Sequence, residues 1–331
     1  MAIHYKFVKL AHTDQSDFDI LEQYIDAADI VFPETACETE ISLAAREEKY
    51  RRLLKKPKLK EQEIALLEKQ ISENNNRNSL FPYMTLRAIL KKDKVLSCLE
   101  REDIAETVPS SISQKHAWLG PLGRGNAEEV IKLFYSDCVS EVSHINSRDR
   151  TIARNAGTIE VRIRKLYPEL ESKKKLEGVV PIGAAHAPER YMKGFQKSIL
   201  TYEVITLDES IRRNVTWRTE LIRQMRDDEL KKPYEDYSSQ IARALLQISI
   251  GIAQMDLPFV NSRRITSIPR RYLTADMGVD DLYTLCEKIK PAQGKSDKIQ
   301  EIITNFFTEI GKPFPRTEEE YIAVYKQYRQ N

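Results

Sequence analysis

The stretch Leu176-Glu-Gly-Val-Val-Pro-Ile182, followed at once by Gly183-Ala-Ala-His186, decides how this chain is read. A short apolar run rich in valine and isoleucine and bounded by glycine has the pattern of a buried strand. Here the run stops at an ionisable side chain. Three further runs do the same: Tyr5–Ala11 stops at His12, Ala28–Pro33 at Glu34, and Lys94–Leu99 at Glu100-Arg101. In an open α/β sheet the strands feed a crevice at their carboxyl ends, so residues just beyond several strands converge although distant in sequence.

Working outward from these strands, Phe18, Ile20, Leu21, Tyr24 and Ile25 form one apolar stripe, and Asp14 or Ser16 can cap a helix that runs to about Asp26. Strand, helix, strand in that order implies a right-handed parallel unit. Residues 38–73 then change character. Ala44, Tyr50, Leu53 and Leu54, then Ile64, Leu67 and Ile71, recur at helical spacing amid many charges, and Pro57 divides them. This predicts a helical hairpin ending in the Asn74-Asn-Asn76 turn: a solvated cap, or a partner-binding coiled coil. A helix from about Leu80 to Lys92 precedes the third strand.

Past Arg101, glycine and proline punctuate a predicted mobile loop through Pro109, Trp118-Leu-Gly-Pro121 and Gly123-Arg-Gly125. Gly123-Arg-Gly125 reads as a turn, since it lacks the strand-to-helix setting of a dinucleotide loop. Helices are expected from about Ala127 to Ile145 and from Arg148 to Leu166, with Asn146 or Ser147 capping the second. After the fourth strand come a short helix near Tyr191–Lys197 and a fifth strand at Thr201–Leu207. Beyond it lie helical segments near 209–231, 237–254, 278–290, 295–311 and 316–330, separated by prolines. The expected fold class is therefore α/β: a central, mostly parallel sheet flanked by helices. Residues 1–207 form the core, with a helical insertion at about 38–92, and residues 208–331 form a helical extension packed on it.

Composition narrows the function classes. The 331 residues are 41% hydrophobic and 31% charged, ordinary for a globular protein. Fifty-two basic against 50 acidic residues leave a net charge of +2, so no global field draws the chain to nucleic acid or anionic lipid. No run approaches the roughly 20 apolar residues of a membrane span. Cys37, Cys98, Cys138 and Cys286 lack CxxC spacing, which fits free thiols in a reducing compartment. The start alternates apolar and polar residues like a strand and has none of the features of a signal peptide, so a cytoplasmic location is expected.

Two histidines and two glutamates at strand ends can hold a divalent metal or move protons, because imidazole titrates near neutrality and a carboxylate can ligate or act as a base. Arg101 or Arg148 can bind a substrate carboxylate or a developing oxyanion through its planar donor fork. Each residue also has a plainer reading. A histidine after a strand is commonly a hydrogen-bonded structural residue, and Arg148-Asp149 is also what a helix start looks like. The repetition on four strands is what favours a composite site.

The sequence of His12, Val31-Phe-Pro-Glu34, Leu99-Glu-Arg101, Ser147-Arg-Asp149 and Val180-Pro-Ile-Gly-Ala-Ala-His186 resembles the TraB/Tiki superfamily, whose fold is shared with EreA-like and ChaN-like proteins. The resemblance covers about residues 5–206. Its second Gly-x-x-His motif falls on Gly183 to His186. The first falls on Lys9-Leu-Ala-His12, where Lys9 stands in place of the family's glycine. The resemblance implies a catalytic set of His12, Glu34, Glu100, Arg101, Arg148, Asp149 and His186. His12, Glu34 and His186 would be the ligands of a divalent ion such as Mn, Co or Zn, and no organic cofactor is implied.

The implied function is a metal-dependent hydrolase that activates water, directly on a histidine or on the ion, to cleave a peptide or ester-like bond. Its partner would be a small-molecule or peptide substrate. The alternatives are a non-catalytic ligand-binding or signalling module using the same crevice, and an assembly protein acting as a homo-oligomer through its helical extension.

Overall fold

The computed structural model describes residues 2–10, 15–34, 40–73, 77–100, 116–192, 201–206, 215–255, 257, 268–312 and 314–329. Among the described residues five strands form one wholly parallel sheet: β1 (Ala2–Leu10), β2 (Ile30–Val31), β3 (Val95–Leu96), β4 (Lys175–Gly183) and β5 (Thr201–Thr206), in the order β3-β2-β4-β1-β5. The expected α/β class is observed, with helices between the strands and a helical C-terminal part. β1 and β4 pair along their whole length, from Ala2 opposite Lys175 to Leu10 opposite Gly183.

The chain leaves β1 towards β2 on one side and leaves β4 towards β5 on the other. The boundary between β1 and β4 is therefore a topological switch point, the place where parallel sheets open a crevice beyond their carboxyl ends. Both sheet faces are covered, as a parallel sheet requires. On one face Val8, Leu10, Val31 and Val179 pack with α1 (Gln15–Ala27) and with α2 (Glu40–Leu54), α3 (Pro57–Glu73) and α4 (Arg77–Lys91) through Phe18, Tyr50, Leu53, Leu67 and Phe81. The charge-rich hairpin thus contributes apolar residues to the core. On the other face Tyr5, Phe7, Val180 and Ile182 pack against Ile152, Ala153 and Ile159.

Gly178 in β4 marks a place where a larger residue would force its neighbours to shift. A Cβ there would lie 2.9 Å from the Phe32 ring and 3.0 Å from Ile3.

Several elements differ from the sequence reading. The helix expected to break at Asn146-Ser147 is continuous: α6 runs from Ala127 to Ala156, following the single-turn α5 (Leu119–Gly123), and α7 spans Ile159–Leu166. Asn and Ser disfavour a helix interior only by tenths of a kcal/mol, and the buried stripe of Val142, Ile145, Asp149, Ile152 and Ala153 carries the helix through. Gly157 and Thr158 end it instead. Part of the expected loop is helical, since α5 accommodates Pro121 in its first turn. The expected Gly123-Arg-Gly125 turn is present, and Gly125 has a φ of 70°. The short helix after β4 is α8 (Glu189–Met192), which begins two residues before the expected Tyr191; residues 193–197 of the expected range lie outside the described residues. A helix at Ile268–Leu273 was not anticipated, because Pro269 reads as a breaker; it occupies the second helical position, where its missing N–H is harmless.

The chain divides into two compact units, one of residues 1–108 and 144–212, the other of residues 109–143 and 213–331. The first contains the sheet. The second is helical and centres on Ser238–Ala253, whose Ile241, Ala242, Leu245, Leu246 and Ile250 are buried. Within it Trp217 has Arg271 at 4.2 Å and Arg243 at 5.5 Å from its ring centre. Among the described residues, Cys98, Cys138 and Cys286 are free, buried thiols, and no helix is long and apolar enough to cross a membrane.

Candidate active site

Short extensions of the sheet carry the ionisable residues to one place. Phe32 N–H donates to Val179 O at 2.8 Å and Ser97 N–H to Val31 O at 3.1 Å, so β2 and β3 stay in register beyond their formal ends. Glu34 and Glu100 follow. Two bonds dock α6 over the same end: Tyr5 Oη donates to Ala156 O at 2.8 Å, and Asn155 Nδ2 donates to Leu99 O at 2.6 Å. One turn before Ile152 and Ala153, that helix presents Arg148 and Asp149. A turn closed by His186 N–H donating to Gly183 O at 3.0 Å brings His186 back over the end of β4.

Arg148 is the hub. Its Nη2 donates to both oxygens of Glu100, at 2.9 and 3.0 Å, and to Glu34 Oε1 at 3.1 Å; its Nε reaches Glu100 Oε2 at 3.3 Å. Its Nη1 lies 3.2 Å from His186 Nε2. His186 Nδ1 is 2.6 Å from Asp149 Oδ1, and Asp149 Oδ2 accepts from Ala187 N–H at 2.6 Å. Glu34 Oε2 accepts from Gly183 N–H at 2.8 Å, while Glu34 Oε1 lies 3.3 Å from His186 Nε2.

Burial opposes a charge on His186, but the carboxylates of Asp149 and Glu34 outweigh it and push its pKa up to about 10. His186 Nδ1–H donates to Asp149 Oδ1. In the charged ring the Nε2 proton points to Glu34 Oε1; in the neutral ring the Nε2 lone pair faces Arg148 Nη1. The guanidinium is likewise held charged, since Glu100 and Glu34 overcome its burial. Asp149, Glu100, His186 and Arg148 have side chains at most 7% exposed, against 16% for Glu34. Glu34 is therefore the mouth of the cluster.

Of the seven residues expected from sequence, the structure brings five together: Glu34, Glu100, Arg148, Asp149 and His186. His12 and Arg101 lie outside the described residues. Arg148 and Asp149 occupy a helix interior rather than a helix start, which rules out a local end-capping role for them. Lys9 of β1 pairs with Glu189 of α8, three residues past His186, with Nζ 2.5 Å from Oε1. Glu189 carries little signal in the sequence beyond being an acidic residue three positions past His186.

The described donors do not by themselves make a metal centre. Among the described residues, no group of three or more His, Cys, Asp or Glu is placed to hold an ion. The chemistry explains this: the guanidinium of Arg148 contacts both Glu34 Oε1 and His186 Nε2, the two atoms that would ligate.

No family model matches the chain, and neither a curated protein nor a solved structure matches it.

Proposed function

We propose that the chain is a hydrolase of the TraB/Tiki type, cleaving a peptide or ester-like bond at the carboxyl ends of β1, β2 and β4. The observation that carries this reading is the convergence of His186 Nε2 and Arg148 Nη2 on Glu34 Oε1, at 3.3 and 3.1 Å. Glu34, the most exposed member, takes the proton of an attacking water. Arg148 stabilises the oxyanion that forms on the acyl carbon, where a fixed donor fork in a dry site is most effective. The His186 imidazolium gives its Nε2 proton to the leaving group. Asp149 orients the ring, and Glu100 holds the guanidinium. No step of this reading runs through a metal ion.

The test is hydrolysis of a panel of esters and peptides by the wild-type chain, with chelator and with added Mn, Co or Zn, beside Glu34→Ala and His186→Ala. Turnover that disappears in both variants is the expected result. Wild-type turnover equal to that of His186→Ala under every metal condition overturns the reading.

One observation favours a second reading, a ligand-binding module without turnover. Arg148 is already paired with two carboxylates, so the cluster neutralises much of its own charge without a substrate. Recovery of an intact ligand from the purified protein supports that reading.

A further inference from the structure

A lysine near the end of a central, doubly covered strand is out of place. Lys9 is the penultimate residue of β1, opposite Ile182 on one side and Thr206 on the other, and it is buried. Strand alternation puts its side chain on the face of Tyr5 and Phe7, which is the face covered by Ile152 and Ala153 of α6. One turn earlier that helix carries Arg148 and Asp149. The partner of Lys9, Glu189, stands on the short helix immediately after the His186 turn. The ammonium group therefore sits at the switch point between β1 and β4, on the same side of the sheet as the candidate active site.

The pairing itself is thin. Lys9 Nζ meets Glu189 Oε1 at 2.5 Å, while Glu189 Oε2 is buried with no hydrogen-bond partner among the described residues. One carboxylate oxygen has lost its water without a donor in return, which makes holding Glu189 in this position costly. The glutamate is also the more exposed member, at 22% against 11% for the lysine. Releasing it would restore its hydration and leave a buried ammonium that needs an anion. A second carboxylate in its place keeps the charge balance unchanged.

We propose that Lys9 is a specificity-determining residue of this site, binding a carboxylate carried by the substrate in exchange for Glu189. The inference rests on the hydrolase reading for what happens to the bound molecule, but not for the binding itself. It names the substrate class: acyl compounds with a free carboxylate near the scissile bond.

The test separates the two. Succinate and its uncharged analogue succinamide are titrated into the full chain by NMR, and turnover of monomethyl succinate is compared with that of methyl butanoate. Wild type is expected to prefer succinate by about 10-fold, the size of one charge-assisted contact. Lys9→Met abolishes the preference, Lys9→Arg keeps it, and Glu189→Gln enlarges it by removing the competitor. A merely structural ion pair would move both Lys9→Met and Glu189→Gln in the same direction. Equal binding of the two probes by wild type, or parallel effects in those two variants, overturns the proposal. Absence of ester turnover with the binding pattern intact removes the hydrolase reading alone.

Discussion

The carboxylate of Asp149 holds His186 by two separate handles: Oδ1 lies 2.6 Å from the ring Nδ1, and Oδ2 accepts from the backbone N–H of Ala187 at 2.6 Å. One side chain in a helix interior thus fixes both the ring and the turn that carries it. The tautomer follows, since Nδ1 must bear a proton to reach Asp149. Nε2 is left to face Glu34 and Arg148.

Replacing Asp149 by Asn leaves one acceptor for two donors. Either Nδ1–H or the Ala187 N–H loses its partner, at a cost of about 1–3 kcal/mol in a buried position. If His186 acts as the acid, activity on any substrate found should fall by about 100-fold or more. Urea denaturation and steady-state rates check the two effects separately. A variant with wild-type rates would show that His186 needs no orienting partner.

The protonation of His186 links stability to pH. Its folded-state pKa is raised, so the folded state binds the proton more tightly than the unfolded chain, in which an ordinary histidine titrates near 6.5. The contribution is fully present below that unfolded value and is lost as pH rises through about 10. The stability difference between wild type and His186→Gln should therefore shrink from pH 6 to pH 10. Denaturant midpoints of both proteins across that range measure it, and a gap that widens with pH contradicts the assignment.

Much of this arrangement is legible in the sequence. The five strands follow from short runs of β-branched residues with turn signals, and Glu34, Glu100 and His186 are marked by their positions just past strand ends. Arg148 and Asp149 read from sequence as a helix start, whereas they lie in the interior of α6. The weak helix disfavour of Asn146 and Ser147 reads as a boundary, while Ile152 and Ala153, which help carry the helix past it, are buried against the sheet, a contact no local pattern shows. The Lys9–Glu189 pair was invisible for a related reason. Its partners lie 180 positions apart in the chain, and only the parallel register of β1 with β4 brings them together.

The same register makes Gly178 a sensitive position. Gly178→Ala puts a methyl group 2.9 Å from the Phe32 ring and 3.0 Å from Ile3, both buried in the core. The expected loss is about 1–3 kcal/mol from overpacking. Because Phe32 leads directly to Glu34, activity should fall as well. Ile3→Ala in the same chain removes the Cγ2 that the added methyl meets, so the losses of the two substitutions should be less than additive, and thermal unfolding of the single and double variants measures this.

Arg148 offers the sharpest test of the cluster as a unit. Removing it by Arg148→Met leaves the buried carboxylate of Glu100 and the partly buried one of Glu34 facing each other without their common partner, and such a break costs about 3–5 kcal/mol. Lysine cannot restore it, since one ammonium does not reproduce a fork whose Nε and Nη2 both meet Glu100 while Nη2 also meets Glu34. Glu100→Gln in the Arg148→Met background removes one of the two negative charges that Arg148 bridged, so the double variant should be more stable than Arg148→Met alone. A coupling of about 0.5–3 kcal/mol between the two positions is expected from a double-mutant cycle in urea. Strictly additive losses would mean that Arg148 and Glu100 act independently, and the hub would have to be sought between Arg148 and Glu34.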